Sequence, residues 1–258
     1  MDMELGGHRV VVTAGAAGIG LAIARAFVAE GAEVVVFDVD EAALVALGDS
    51  DPAITGFVCD VADRAAVARF MDDALGVLGG LDCLVNNAGI AGPTGSVQDI
   101  DPGDWDRTLA VCLTGQFNVA RLAIPALIDS ANGSMVNLSS LAGRVGFAMR
   151  APYAAAKWGV IGFTRSLAIE LGGAGVRVNA VLPGLVAGDR QRRVLEAKAQ
   201  AQGRSFAETE ARAFSYTSLK DYVTPRQIAD QVLFLASVRG RTISGQALSV
   251  CGDTGMLA

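Results

Sequence analysis

The feature that most constrains the fold of this chain is the alternation of short apolar segments with longer segments of helical pattern. The apolar segments, rich in β-branched residues as strands are, lie at 10–13, 33–37, 56–59, 82–86, 134–138, 176–181 and 247–250. Between them, apolar residues recur every three to four positions, which indicates helices. The clearest helical segments are 20–30, 63–78, 104–130 and 152–171. Strands that alternate with helices predict right-handed βαβ units and an α/β fold with a doubly wound parallel sheet.

The alternation continues through the whole chain of 258 residues. No Ser-rich or Pro-rich linker, internal repeat or low-complexity segment interrupts it. A chain of this length is able to bury one large core. We therefore expect a single domain that spans residues 1–258.

The charge and hydropathy of the chain exclude several kinds of partner. Its net charge is −6 and its pI about 4.8, whereas phosphate binding needs a concentrated basic field, so we expect no nucleic-acid partner. Mean hydropathy is high at +0.40, but no uninterrupted apolar run reaches the roughly 18 to 20 residues that span a bilayer. We expect no membrane partner, and we attribute the hydropathy to a buried sheet and subunit contacts. Residues 1–10 lack the pattern of a secretory signal.

The cysteines and the single histidine argue against a metal site. Cys59, Cys83, Cys112 and Cys251 lie far apart without a C-x-x-C pair, and the chain offers only His8 to join them. We expect no metal. The cysteines are interpreted as reduced, packed thiols of a cytoplasmic protein.

A glycine-rich turn follows the first predicted strand and leads into a helix. Residues 13–20 read T-A-G-A-A-G-I-G. Glycines let the backbone approach a pyrophosphate closely, and the N–H groups that begin the helix favour an anion. The spacing is G-x-x-G-x-G rather than the usual G-x-G-x-x-G, so a plain tight turn remains the alternative.

Acidic and amide side chains stand at the ends of three predicted strands. Asp38 closes the second strand, where a carboxylate binds adenosine ribose hydroxyls and repels a 2′-phosphate, which favours NAD over NADP. An exposed turn or a helix cap is the simpler alternative, and Asp40 fits the capping role better. Asp60 and the N-N-A-G at 86–89 end the third and fourth strands, where open α/β sheets bind ligands. Asparagine at such a position is often only a turn former.

A tyrosine and a lysine share one face of the predicted helix that follows Pro152. Tyr153 and Lys157 are four positions apart and therefore neighbours across one helical turn. An ammonium at that distance favours the phenolate form of a tyrosine, which is otherwise a poor base at neutral pH. Such pairs are common on helices, so the pair alone does not indicate catalysis.

Together these pieces resemble the short-chain dehydrogenase/reductase family over nearly the whole chain. The resemblance is carried by the order and spacing of 13–20, Asp38, Asp60-Val61, N-N-A-G at 86–89, Ser139-Ser140, Tyr153-x-x-x-Lys157, Asn179 and Pro183-Gly184. It implies a Rossmann fold whose seven-stranded parallel sheet has the order 3-2-1-4-5-6-7, with helices on both faces. It also implies homo-oligomers, tetramers or dimers, built partly through the helices at 104–130 and 152–171.

The resemblance also implies hydride transfer between NAD(H) and a secondary alcohol or carbonyl. Tyr153 would be the general acid/base, Lys157 would bind the nicotinamide ribose and favour the phenolate, and Ser140 would hold the substrate oxygen. Asp60 and Val61 would lie near the adenine, and Val186 near the nicotinamide. The full set of expected cofactor contacts is Gly15, Gly18, Ile19, Gly20, Asp38, Asp60, Val61, Asn87, Ala88, Gly89, Tyr153, Lys157, Pro183, Gly184 and Val186. The Tyr-to-Lys spacing fits carbonyl reduction or alcohol oxidation better than enoyl reduction, for which the family has a longer spacing.

Three positions depart from the family pattern. Cys112 stands where many members carry an asparagine that helps to hold a water next to the lysine; a thiol bonds more weakly, so a backbone carbonyl would have to anchor that water. Gly188 replaces a threonine that contacts the cofactor. Ala14 stands where the first glycine of the turn is usual, and we expect Gly15 to serve as a shifted glycine.

A polar, charged stretch at about 185–224 carries helical patterns at 190–201 and 205–213. We interpret it as a two-helix lid over the active site, which the family also has at this place. A lid of this kind excludes water and orders on ligand binding.

Arginines are expected near the substrate. Arg144 and Arg150 lie in the loop before Tyr153, and Arg190 begins the lid. They would bind a carboxylate, sulfonate or phosphate, unless the lid arginines are solvated and paired with nearby glutamates. We expect a small polar substrate: a sugar, a polyol or an anionic hydroxy acid.

Three functions fit the sequence. The leading hypothesis is an NAD-dependent oxidoreductase. A dinucleotide-binding sensor or structural subunit with degraded catalysis is suggested by Cys112 and Gly188, although Ser140, Tyr153 and Lys157 together argue against it. A dehydratase or epimerase that uses bound NAD without net turnover is the third.

Overall fold

A seven-stranded parallel sheet forms the centre of the structure, a computed structural model that describes residues 2–256. Its strand order is β3-β2-β1-β4-β5-β6-β7, and each neighbouring pair is parallel. The strands are β1 (Arg9–Thr13), β2 (Glu33–Asp38), β3 (Ile54–Val58), β4 (Cys83–Asn86), β5 (Ser134–Leu138), β6 (Arg177–Pro183) and β7 (Ala247–Val250). The expected fold class and strand order are confirmed.

Helices cover both faces of the sheet. They are α1 (Gly18–Ala29), α2 (Glu41–Ser50), α3 (Arg64–Leu78), α4 (Pro102–Leu109), α5 (Gly115–Ile128), α6 (Ala151–Gly172), α7 (Asp189–Gln202), α8 (Phe206–Ser215) and α9 (Pro225–Ala236). The core on one face is built from α1, α2 and α9, and the core on the other from α3, α5 and α6. The inner strands β5 and β6 are buried along their whole length because both of their faces are covered.

The strand order reverses between β1 and β4. From β1 the chain builds outward through β2 to β3, and it then returns to the other side of β1 with β4. At such a point the loops after the two adjacent strands leave in opposite directions, and a crevice opens at their carboxyl ends. The ligand site of this fold is therefore expected above the ends of β1 and β4.

The predicted helix at 104–130 is interrupted. A π-helical turn, Ala110–Thr114, separates α4 from α5. It brings Cys112 Sγ to 3.3 Å from the Ile90 backbone N and 3.4 Å from the Ile90 carbonyl. Helical periodicity does not record an added residue in one turn, so the interruption escaped the sequence analysis.

The segment Pro102–Ile128 has the length and mean hydropathy (1.4) of a membrane span. Half of its most apolar window is buried inside the fold, where α4 packs on α6 and α5 packs on α3. The buried core helix of a soluble protein has the same length and hydropathy, so these two properties alone do not indicate a membrane span.

Candidate active site

A cavity of about 630 Å³ opens at the carboxyl ends of the central strands. Its size is typical of a small-molecule site, and it lies at the reversal of strand order. All three predicted catalytic residues, Ser140, Tyr153 and Lys157, line it. The expected cofactor residues in its wall are Gly18, Ile19, Asp38, Asn87, Gly89, Tyr153, Lys157, Pro183, Gly184 and Val186. Those outside the wall are Gly15, Gly20, Asp60, Val61 and Ala88.

The start of α1 fits an anionic group of a dinucleotide. Ala17, Gly18 and Ile19 line the cavity. No side chain caps the helix, and its first turn contains no acidic residue. Uncapped N–H groups and the positive end of the helix dipole therefore face the cavity, as a pyrophosphate requires.

The glycine turn depends on Ala14, and the expected shift to Gly15 is wrong. Ala14 has a left-handed backbone (φ 52°), whereas Gly15 does not. Gly15 instead makes room for β2, because a Cβ there would lie 2.5 Å from Val36 Cβ. An alanine in this conformation costs about 1 kcal/mol. The turn thus keeps its shape although its first residue is not glycine.

The N-N-A-G motif holds that turn in place. Asn87 Nδ2 donates to the carbonyls of Thr13 and Ala14, both at 3.0 Å. The backbone N–H groups of Asn87 and Ala88 donate to Thr13 Oγ1 at 2.9 and 2.7 Å. These bonds fasten the end of β4 to the end of β1 and stabilise the strained Ala14. Ala88 lies beneath the cavity wall, while Asn87 and Gly89 form part of it.

Two carboxylates stand at the end of the cavity above β2. Asp38 accepts long hydrogen bonds from the backbone N of Ala16 (3.3 Å) and of Asp40 (3.2 Å). Asp40 accepts from Ala43 N at 3.0 Å and is the cap of α2. The capping role therefore belongs to Asp40, and both carboxylates line the cavity.

Asp60 and Val61, expected near an adenine, brace the neighbouring helices instead of lining the cavity. Asp60 accepts from Ala62 N (2.9 Å) and forms an ion pair with Arg107 of α4 (2.9 Å). Val61 is buried against Gly115, where a Cβ would come within 2.7 Å of it.

Ser140, Tyr153 and Lys157 converge from two elements. Ser140 follows β5, and its Oγ accepts from Ala142 N at 3.1 Å. Pro152 lies in the first turn of α6. Tyr153 and Lys157 follow one turn apart on the same helix, and Lys157 Nζ lies 5.8 Å from the centroid of the Tyr153 ring. The hydroxyl of Ser139 donates to the Lys157 carbonyl at 2.8 Å. Ser139 therefore supports the helix and leaves Ser140 to face a ligand.

Lys157 is anchored through its ammonium group. It is 3% exposed and donates to the carbonyl of Leu138 at 2.7 Å. The same carbonyl accepts from Gln116 Nε2 at 3.2 Å. The Leu138 carbonyl therefore holds the Lys157 ammonium at the cavity wall. No sequence motif identifies this contact.

The structure explains two departures from the family pattern. The Cys112 thiol is buried behind Gly89, because a Cβ on Gly89 would lie 3.6 Å from Cys112 Sγ and 3.4 Å from Lys157 Nζ. The thiol forms hydrogen bonds with the backbone N and the carbonyl of Ile90. Cys112 therefore holds the π-helical turn in place. Gly188 begins the lid at φ +137°, a conformation that a threonine would adopt only with strain.

The predicted substrate arginines separate into two groups. Arg150 and Arg190 line the cavity. Arg144 lies outside it and donates to Ala247 O (2.8 Å) and Ser249 Oγ (3.2 Å) of β7. Arg144 is thereby removed from the expected substrate contacts. Arg193, one of the lid arginines, also lines the cavity. Phe147 lines it too and was missed, because it belongs to no motif.

Comparison with known proteins gives a consistent result. A family model described as enoyl-(acyl carrier protein) reductase matches residues 14–256. The 2-(S)-hydroxypropyl-CoM dehydrogenase 3 of Xanthobacter autotrophicus is 38% identical over 264 residues, covering 100% of both chains. NAD⁺-bound xylitol dehydrogenase has a TM-score of 0.93 at 28% identity, over 96% of this chain and 99% of its own. An actinorhodin polyketide ketoreductase variant with NADPH has a TM-score of 0.91 at 32% identity, over 96% and 97%.

These relatives are named for alcohol oxidation or ketone reduction, in agreement with the Tyr-to-Lys spacing, although the matching family model carries an enoyl reductase description. The similarity extends over almost the full length of each protein. The chain therefore belongs to the short-chain dehydrogenase/reductase family of oxidoreductases that act on CH–OH groups.

Proposed function

We propose that this protein transfers a hydride between NAD(H) and a secondary alcohol or carbonyl of a small polar substrate, with Tyr153 as the general acid/base. The observation that carries the proposal is the convergence of Ser140, Tyr153 and Lys157 on the cavity that the uncapped start of α1 also lines. When bound there, the nicotinamide accepts or donates the hydride.

The residues of the chain would orient the substrate and move its proton. Ser140 Oγ donates a hydrogen bond to the substrate oxygen. Tyr153 takes the hydroxyl proton during oxidation and returns it during reduction. The fixed Lys157 ammonium stabilises the phenolate through its charge, because it is buried and held at 2.7 Å by the Leu138 carbonyl. The lid residues of α7 that line the cavity would exclude water.

NAD is the proposed cofactor because of charge. Asp38 and Asp40 give the cavity wall two carboxylates, and we assign the adenosine of the cofactor to this end. Like charges there would disfavour the 2′-phosphate of NADP, whereas ribose hydroxyls would be good donors to Asp38.

We expect Asp38→Ser to change the ratio of kcat/KM for NAD⁺ to that for NADP⁺ by roughly 30- to 100-fold in favour of NADP⁺, because a few kcal/mol of like-charge repulsion is removed. Steady-state kinetics with both cofactors on one substrate measure the ratio. Asp49→Ser removes an equal charge from the exposed end of α2 and is the matched control. An unchanged ratio in Asp38→Ser would contradict the assignment of Asp38.

A substrate panel tests the reaction itself. Sugars, polyols and anionic hydroxy acids are presented with NAD⁺ while the nicotinamide absorbance and the organic products are followed. Net NADH formation supports the proposal. Product without net NADH would indicate an epimerase or dehydratase, and NADH binding without any product would indicate a sensor.

We also propose that the protein is a homo-oligomer. Phe117 of α5 is 45% exposed, and Trp158 and Ile169 of α6 are 52% and 84% exposed. Large exposed apolar side chains on two helices of the same face of the sheet favour burial against a second copy. Sedimentation equilibrium tests this, and a monomer at micromolar concentration would contradict it.

A cytoplasmic location fits the cysteines, which form no disulfide among residues 2–256. Burial raises the pKa of the Cys59 thiol to about 11 and that of Cys83 to about 12, so both are held as packed thiols. Reduced thiols of this kind are typical of a reducing compartment.

A further inference from the structure

Arg150 is a buried cation with unused hydrogen-bonding capacity. It is 2% exposed and is one of the largest buried side chains. Nη2 donates to the carbonyl of Ala91, whereas Nε and Nη1 have no hydrogen-bond partner. Such groups are costly in a folded protein, because each has lost its water without gaining an acceptor.

This guanidinium lies in the wall of the cavity beside the proposed base. Its Cζ is 5.3 Å from the centroid of the Tyr153 ring and 5.3 Å from that of Phe147. Burial lowers the pKa of Arg150, and nearby Arg190 lowers it further. No ion pair joins Arg150 to a carboxylate anywhere in residues 2–256. Its positive charge is therefore not neutralised within the described chain.

The lid adds positive charge around the same point. Lys198 of α7 is 2% exposed, and its Nζ lies 4.0 Å from the centroid of the Phe147 ring. Burial, with the charges of Arg150 and Arg212, lowers the pKa of Lys198 to about 8. Arg190 and Arg193, also from α7, line the cavity. Two cations, Arg150 just before α6 and Lys198 from the lid, thus lie against the Phe147 ring.

We infer that this end of the cavity is an oxyanion subsite, so that the substrate of the proposed oxidoreductase carries a carboxylate or sulfonate that accepts hydrogen bonds from Arg150. The inference rests on the proposed function, because the molecule that carries the anion is taken to be the substrate. The location of the subsite rests on Arg150. Nε and Nη1 have almost no exposed surface in this structure. Phe147 is half-buried in the cavity wall against the guanidinium, and its side chain would have to turn aside to admit the anion.

The same geometry favours an anion over a sugar or polyol. A hydroxyl would pair with the free N–H groups but would leave the buried positive charge uncompensated. A charged acceptor forms hydrogen bonds roughly twice as strong as a neutral one. Arg190, which lines the same cavity and acts on Arg150 through its charge, would add to this difference, since its charge has the same sign.

The first test compares matched substrates. Hydroxy acids are assayed beside their primary amides, and hydroxyalkyl sulfonates beside the corresponding methyl sulfones, with NAD⁺. We expect the charged member of the better-used pair to have about tenfold higher kcat/KM or more. Arg150→Met should remove that preference by raising KM of the charged member at least about tenfold more than KM of the neutral member. Carboxylate and sulfonate pairs show which oxyanion is preferred.

Arg144→Met is the matched control, because Arg144 lies in the same loop but bonds to β7. It should keep the preference. If Arg150 served only to support Tyr153 by stacking, Arg150→Met would lower kcat equally for both members of a pair, and this result would overturn the inference. A wild-type enzyme without preference for the charged member would overturn it too.

The second test needs neither turnover nor a variant. The NADH-bound wild-type protein is titrated calorimetrically with butyrate and with ethanesulfonate, and butyramide is the neutral control. We expect saturable binding of at least one anion, tighter than that of butyramide by about tenfold. If the anions bind while no alcohol is oxidised, the subsite stands and the proposed function fails. If neither anion binds better than butyramide, the subsite is refuted even if alcohols are oxidised.

Discussion

Replacement of Tyr153 by phenylalanine is expected to lower kcat by about 10²- to 10⁴-fold, the range that a positioned acid/base contributes. The phenol oxygen is the group of this side chain that can exchange a proton with the substrate oxygen. The aromatic ring remains, with its contacts to Arg150 at 5.3 Å and Lys157 at 5.8 Å. The fold and the cofactor cradle at the start of α1 should therefore be preserved.

The measurement is the single-turnover rate on the best substrate of the panel, together with the NADH dissociation constant. We expect that constant to stay within about threefold of the wild-type value, since the variant loses one hydroxyl. Tyr216→Phe is the control, because it removes a phenol oxygen that lies outside the cavity wall. It should keep roughly half or more of the wild-type kcat, since a site without shared partners has little effect on the activation free energy. Retention of more than a few per cent of kcat by Tyr153→Phe would rule out its role.

Replacement of Lys157 by methionine is expected to lower kcat/KM by roughly 10²- to 10³-fold, because under the proposed mechanism it removes the positive charge beside Tyr153 and a donor to the ribose. The substitution should change little else in the structure. Methionine has a similar length, and the Leu138 carbonyl that loses the ammonium still accepts from Gln116 Nε2 at 3.2 Å. We therefore expect little loss of stability.

The unfolding temperature separates this electrostatic role from a structural one. We expect the Tm of Lys157→Met to stay near the wild-type value while kcat/KM falls. A strongly reduced Tm would mean that the loss of rate is not catalytic.

The roles of the cations in the cavity are different in kind. Lys157 is paired with a backbone carbonyl, so its charge is fixed and available to a neighbouring oxygen. Arg150 retains unpaired N–H groups and is covered by Phe147. A charge that is already anchored is suited to electrostatic catalysis, whereas one with free donors is suited to recognition of a ligand.

Local patterns in the sequence predicted the fold with good accuracy. β5 and β7 have the predicted limits, and α7 and α8 fall on the two predicted helical stretches of the lid. These elements are recognisable because strands are short segments rich in apolar and β-branched residues, whereas an amphipathic helix repeats its apolar residues every three to four positions. The π-helical turn at Ala110–Thr114 has no such signature, and it was found in the structure alone.

The candidate site was predictable where chemistry depends on spacing along the chain. Tyr153 and Lys157 meet because they are one helical turn apart, and Ser140 follows a strand that ends beside that helix. Positions whose role depends on distant neighbours were not predictable. Asp60 pairs with Arg107, and Ala14 is held in its strained conformation by Asn87.

The two loop arginines show the same limit most clearly. Six residues apart in one loop, Arg144 and Arg150 were equivalent candidates by sequence. Tertiary packing sends Arg144 to β7 and buries Arg150 beside Tyr153. The sequence by itself predicted the fold class and the Tyr–Lys pair, because periodicity and helical spacing are local properties, and its motifs carried the resemblance to the family. Only the tertiary structure decided which charges face the cavity, because burial and unpaired donors depend on residues far apart in the chain.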